Sequence, residues 1–307
     1  MWVPASASRP DRGDVRAVPL RLFATGLVVL AGLFVCGVVL TYQPTADFPS
    51  FVLAAERLAR GESPYGEVPA HLHAYGYAPW FAALLIPATV LPTPLLVASW
   101  HAALAMASAA ALWPAVRTRT LVGALLAALV APFLFHAVWI GHYEPLLVAL
   151  LVWALPTRWG AVAIGIAASI KITPLVLTVR FAGRGEWGKV IVAGALAAAL
   201  WAPALLMGFD GWRFGIGLTL SPLGYEPLLW LLLALTAVAL AWRLAPSPLG
   251  WSAASVAWLA VMPRMLLYDA GALAVGLADL STDRRRVRSK CREHSTRSAS
   301  VASRAAS

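Results

Sequence analysis

TADFPSFVLAAERLARGESPY, from Thr45 to Tyr65, is the first long polar interruption in an otherwise apolar chain. Within it Phe48, Phe51, Val52, Ala55 and Leu58 recur at helical spacing, while Ser50, Glu56, Arg57 and Arg60 fall mostly on the opposite side. That pattern predicts a helix lying flat at a membrane surface. Asp47 sits in its first turn, where exposed N–H groups and the helix dipole favour an ionised carboxylate. Two readings of Asp47 follow from its position: a helix cap, or a base presented at the membrane face.

The rest of the chain supports the membrane reading. Of its 307 residues 60% are hydrophobic and 12% charged, with a mean hydropathy of +0.75, a composition no soluble globular domain needs. A spanning helix takes about 20 apolar residues, and the apolar stretches allow roughly nine to eleven, several short or broken by proline. The expected fold is therefore an all-α integral membrane protein. The formal net charge of +10 does not point to nucleic acid. Its excess lies in Arg9, Arg12, Arg16 and Arg21 and in the run DRRRVRSKCR from Asp283 to Arg292, both of which read as cytoplasmic flanks. Cys36 and Cys291 offer neither a disulfide framework nor a metal-ligand spacing.

Three regions follow: a cytoplasmic lead over 1–19, a multi-span membrane domain over 20–280, and a basic, disordered cytoplasmic tail over 281–307. A retained first helix, about Arg21 to Thr41, carries the chain outward to an external segment over 42–78. There Pro64, Pro69 and Pro79 stop helices, and Tyr65, Tyr75, Tyr77 and Trp80 suit an interfacial aromatic belt. His71 and His73 lack an acidic third ligand, so a solvated loop is expected there, not a metal site. Trp80 to Val116, with four prolines, predicts two shortened or kinked helices. Leu121 to Ile140 is apolar, contains Pro132 and runs into the polar island Gly141-His142-Tyr143-Glu144-Pro145. Reading the Pro132 region as a pair of half-helices returns Arg117, Arg119 and Arg158 to the cytoplasm and turns the island and Lys171 toward the side of Asp47.

Charges within apolar runs are the candidate functional residues, because a charge in lipid costs several kcal/mol and is tolerated mainly beside a cavity or a partner. Lys171 is the strongest of these, with a snorkelling lysine as its plain alternative. His142 and Glu144 interrupt an apolar hairpin and line the same cavity or form a simple interfacial turn. Arg264 and Asp269, flanking Tyr268, make a polar corner before the last helix. Glu226 before Pro227 reads as a helix cap.

The run DFPSFVLAAERLARGESPY resembles the D-F-x-x-Y/F-x-x-A…G-x-x-P-Y signature that follows the first helix in glycosyltransferase family 87. YAPWFAALLIPATVLP, GHYEPLLVALL, GIAASIKITPLVL and RMLLYDAGAL are similar, in the same order, to further segments of that family. The resemblance covers about residues 45 to 275. It departs at His142 and Glu144, where the family carries Gln and Asn, and at the short C-terminal end.

The resemblance implies a GT-C-like bundle of roughly 9–11 transmembrane helices with an interfacial helix in the first external loop. It implies a glycosyltransferase, hexosyl and inverting, in the cell (plasma) membrane with its site on the external face. The donor would be a polyprenyl-phosphate-linked sugar, mannose-like or arabinose, and the acceptor a glycolipid or glycan among membrane lipid. Asp47 would be the catalytic base and Lys171 the donor-phosphate contact, with Tyr65, Tyr77, His142, Glu144, Arg264 and Asp269 as cavity residues. No cofactor and no metal are expected. The competing classes are a transporter or flippase of lipid-linked sugar and a non-catalytic membrane subunit.

Overall fold

The computed structural model describes residues 47–69, 72–118, 120–209, 226–262 and 266–280. The expected first helix, the N-terminal lead, the basic tail, and His71, Arg119 and Arg264 lie outside these. The described residues are helical with no strand, as the composition predicts.

The interrupted stretch is helix α1, Asp47–Ala59. Its apolar face is taken up by protein. Phe48 stacks on Trp100 with ring centroids 4.9 Å apart, and Phe51 meets Tyr77, Phe81, Trp100 and Tyr143 at 5.5 to 6.1 Å. Glu56 and Arg60 are exposed, but Ser50, expected on the polar side, is buried. Next come α2 (Pro79–Leu85), a 3-10 turn (Ile86–Val90) and α3 (Thr93–Val116), so the proline-rich run makes one short helix and one long one.

Helix α4 (Leu121–Trp139) is continuous through Pro132, which corrects the half-helix expectation. Proline removes one N–H from the ladder, but a full break between apolar neighbours would orphan several backbone groups, and a packed helix tolerates the smaller loss. The expected juxtaposition is reached by another route. α3 leaves the level of α1 at Trp100, and α4 returns over 19 residues, about 28 Å. The hairpin thereby brings Gly141 back beside Phe48, with Arg117 at its far end.

After the island come α5 (Glu144–Ala154), α6 (Gly160–Ile170), a 3-10 segment (Thr173–Thr178), α7 (Val179–Ala182), α8 (Trp187–Leu206), α9 (Pro227–Leu244), α10 (Gly250–Ala260) and a late 3-10 helix (Leu267–Leu277). Small residues let α6 and α8 approach closely: a Cβ on Gly165 would lie 2.9 Å from the Ala193 carbonyl oxygen. The late helix packs between α4, α5 and α10. Glu226 stands at the N-terminus of α9 without a side-chain cap bond.

Among the described residues four helices, α3, α4, α8 and α9, are long and apolar enough to cross a membrane. The other apolar runs fold as shorter helices because Pro and Gly interrupt them. Ile191, Leu205 and Leu206 on α8 and Leu228, Leu232 and Leu235 on α9 are exposed, forming apolar flanks of the kind that lipid covers.

Candidate active site

Site construction begins at the end of α4. Gly141 adopts φ +72°, the Gly141 N–H donates to Val138 O at 3.1 Å, and the His142 N–H donates to Ala137 O at 2.9 Å. This is a Schellman termination, which needs a left-handed residue that glycine supplies at low cost. Trp100 Nε1 donates to the Gly141 carbonyl at 2.8 Å and fixes the turn to α3. His142 is thereby delivered to the start of α5. The backbone N–H of Glu144 donates to His142 Nδ1 at 3.2 Å, so Nδ1 is the unprotonated ring nitrogen and Nε2 carries the hydrogen of the neutral imidazole.

The ring packs against two tyrosines, 4.0 Å from the Tyr268 centroid and 4.2 Å from that of Tyr143. Its Nε2 is 3.8 Å from Asp47 Oδ2. The Asp47 side chain is 21% exposed and that of His142 only 2%, so solvent or a hydroxyl reaches this pair from the carboxylate side. Burial pushes the Asp47 carboxyl above the ordinary aspartate value, with His73 pulling the other way. The helix terminus acts in the opposite sense, favouring the ionised form. Desolvation by burial leaves a more basic carboxylate.

Lys171 occupies a helix break. α6 ends at Ile170, Lys171 itself is extended at φ −137° and ψ 120°, and Pro174 forbids a regular continuation. Two tryptophans bracket the break: Trp80 Nε1 donates to Ser169 Oγ at 3.0 Å, and Trp258 Nε1 to Thr173 Oγ1 at 2.9 Å. The ammonium is paired with Asp269, lies 3.9 Å from Glu144 Oε2 and is 5.9 Å from the Tyr268 ring. Asp269 also accepts from the Leu266 N–H at 2.7 Å. Glu144 is fully buried, and neither of its carboxylate oxygens accepts a hydrogen bond. Lys171, its side chain 22% exposed, is thus held by two carboxylates rather than extended away from them.

The structure thus gathers Asp47, His142, Glu144, Lys171 and Asp269. Tyr77 joins their edge, its ring 4.9 Å from Tyr143. Tyr65 does not: its hydroxyl donates to the Tyr77 carbonyl at 2.8 Å, a bond that braces the loop. The sequence reading missed the stacking roles of Tyr143 and Tyr268, for which the only signal was their adjacency to His142, Glu144 and Asp269. Among the described residues no group of three His, Cys, Asp or Glu is arranged to hold a metal.

No curated protein and no solved structure matches the chain. The family model of glycosyltransferase family 87 matches residues 75–221, which include His142, Glu144 and Lys171 but neither Asp47 nor Asp269. Over that segment, a little under half of the chain, the sequence is similar to glycosyltransferase family 87.

Proposed function

We propose that the protein transfers a sugar, mannose-like or arabinose, from a polyprenyl-phosphate carrier to a lipid or glycan acceptor at the external face of the cytoplasmic membrane, with Asp47 as base. The observation that carries this reading is a partly exposed carboxylate, raised in basicity by burial, in one cluster with a lysine held by two carboxylates. The acceptor hydroxyl gives its proton to Asp47 as its oxygen forms a bond to the anomeric carbon. The bond from that carbon to the phosphate oxygen breaks, and polyprenyl phosphate leaves with the electron pair. A single displacement of this kind inverts the anomeric centre.

Lys171 supplies positive charge for the departing phosphate. Asp269 fixes the ammonium, and Glu144, the looser partner at 3.9 Å, is the one a phosphate oxygen would displace. The aqueous edge at Asp47 and the apolar flanks suit a substrate with a polar head and a polyprenyl tail. The test uses the purified full-length chain in liposomes with polyprenyl-phosphate mannose or arabinose and a glycolipid acceptor. A glycolipid product of inverted configuration, absent with Asp47→Asn, is expected. Movement of the donor across the bilayer without a new glycosidic bond would replace this reading with a transporter, and no turnover with either donor would overturn the sugar assignment.

A further inference from the structure

We infer that His142 is a positioning residue for Asp47, a neutral Nε2–H donor that holds one carboxylate oxygen and leaves the other free to receive the acceptor's proton. The inference rests on the reading of Asp47 as base. Three observations fix the imidazole. Its Nδ1 accepts from the Glu144 N–H at 3.2 Å, which settles the tautomer with the hydrogen on Nε2. Its ring packs against those of Tyr268 and Tyr143, centroids 4.0 and 4.2 Å away, so turning it disturbs both contacts. Its backbone is locked by the Schellman turn at Gly141 and by the Trp100 bond to the Gly141 carbonyl.

The hydrogen on Nε2 therefore has one carboxylate before it. At 3.8 Å the gap exceeds a direct hydrogen bond, and it closes by a small movement of α1 or through an inserted hydroxyl. Apo sites commonly show such long catalytic contacts. His142 is not a second base, because the nitrogen facing Asp47 already carries its hydrogen. The other groups acting on Asp47 are His73, which favours its charged form, and the hydroxyls of Tyr77 and Tyr268, which its charge disturbs in turn.

A hydrogen bond to the charged form lowers a carboxylate's pKa, so loss of the donor raises it. The test compares His142→Gln, which places an amide N–H near the Nε2 position, with His142→Asn, which preserves an acceptor near Nδ1 but is too short to reach Asp47. His142→Phe is the third variant; it keeps the stacked ring and removes both nitrogens. The activity-independent readout is carbodiimide modification of Asp47 in the full-length protein, quantified by mass spectrometry across pH, since only the protonated carboxyl reacts. The expected result is a modification midpoint moved to higher pH in the Asn and Phe variants and restored toward wild type by Gln. In the transfer assay, kcat should fall about 10- to 100-fold for Asn and Phe with donor KM little changed, and recover in Gln. A common midpoint in all four proteins overturns the inference, as does equal loss in Gln and Asn; function retained by Asn and lost in Gln also overturns it, and would mark the acceptor for the Glu144 N–H as the role of His142. Should His142→Phe fail to fold, the Gln and Asn pair carries the test. Wild-type turnover retained by Asp47→Asn would instead overturn the base assignment, a distinct outcome.

Discussion

Two charge clusters among the described residues are finished differently. At one, Arg180 Nη1 donates to Asp279 Oδ1 at 2.7 Å, and Asp279 accepts in addition from Trp251 N, Ser252 N and Ser252 Oγ at 2.8 to 3.2 Å. The guanidinium also lies 4.5 Å over the Trp251 ring. This carboxylate caps the start of α10 and has its lone pairs occupied. At the other, Asp47 faces His142 across 3.8 Å, Glu144 has no hydrogen bond, and Lys171 is shared among acids. A satisfied pair builds structure, whereas an unfinished one stores capacity to bind or to take a proton. Buried charge alone does not separate the two; hydrogen-bond completion does.

Substitutions should divide along the same line. Asp47→Asn is expected to lower kcat roughly 10²–10⁴-fold, the usual worth of a general base, while leaving the melting temperature near wild type. Near-normal turnover would return Asp47 to a capping role. Asp279→Ala should do the reverse, costing about 3–5 kcal/mol of stability by leaving Arg180 buried without its carboxylate, with kcat per folded molecule preserved. A variant that melts normally yet loses turnover would collapse the distinction between the two clusters. Lys171→Met should weaken donor binding roughly 10- to 100-fold, the worth of one charge-assisted bond. It should also destabilise, because Asp269 and Glu144 then face one another without a cation; unchanged donor affinity would remove the phosphate role. Gly141→Ala is the mildest, about 1–2 kcal/mol for a left-handed alanine whose Cβ would sit 3.0 Å from that of Phe48. Thermal melting of the variant reads it, and an unchanged melt would show that the turn relaxes freely.

Much of the unfinished cluster was legible in the sequence because each member is a polar residue out of place. Lys171, Glu144 and His142 interrupt apolar runs, Asp47 opens the first polar stretch, and Asp269 precedes the last apolar one. The finished cluster was not legible. Arg180 follows an apolar run with nothing local to mark it, and its partner lies 99 positions away on an element with no sequence relation to it. Pro132 misled for a related reason, since proline's local penalty is visible in sequence while the packing of α4 against α3 and the late helix is not. Tyr143 reads only as part of the polar island and Tyr268 as part of the polar corner, because a stacking partner is a tertiary fact. Arg264 lies outside the described residues.

The order in which the ribosome delivers these groups has a consequence. Asp47 emerges early, His142 follows 95 residues later by numbering, and Asp269 arrives 127 residues after that. At about 5–20 residues per second, the first acid waits on the order of 5–20 s for its imidazole, and the lysine's partner comes roughly 6–25 s later still. A chain that stalls before the late helix therefore inserts with Lys171 short of Asp269. Quality control that samples unpaired charge within the bilayer would find such a fragment marked, while in the finished chain the same lysine is paired.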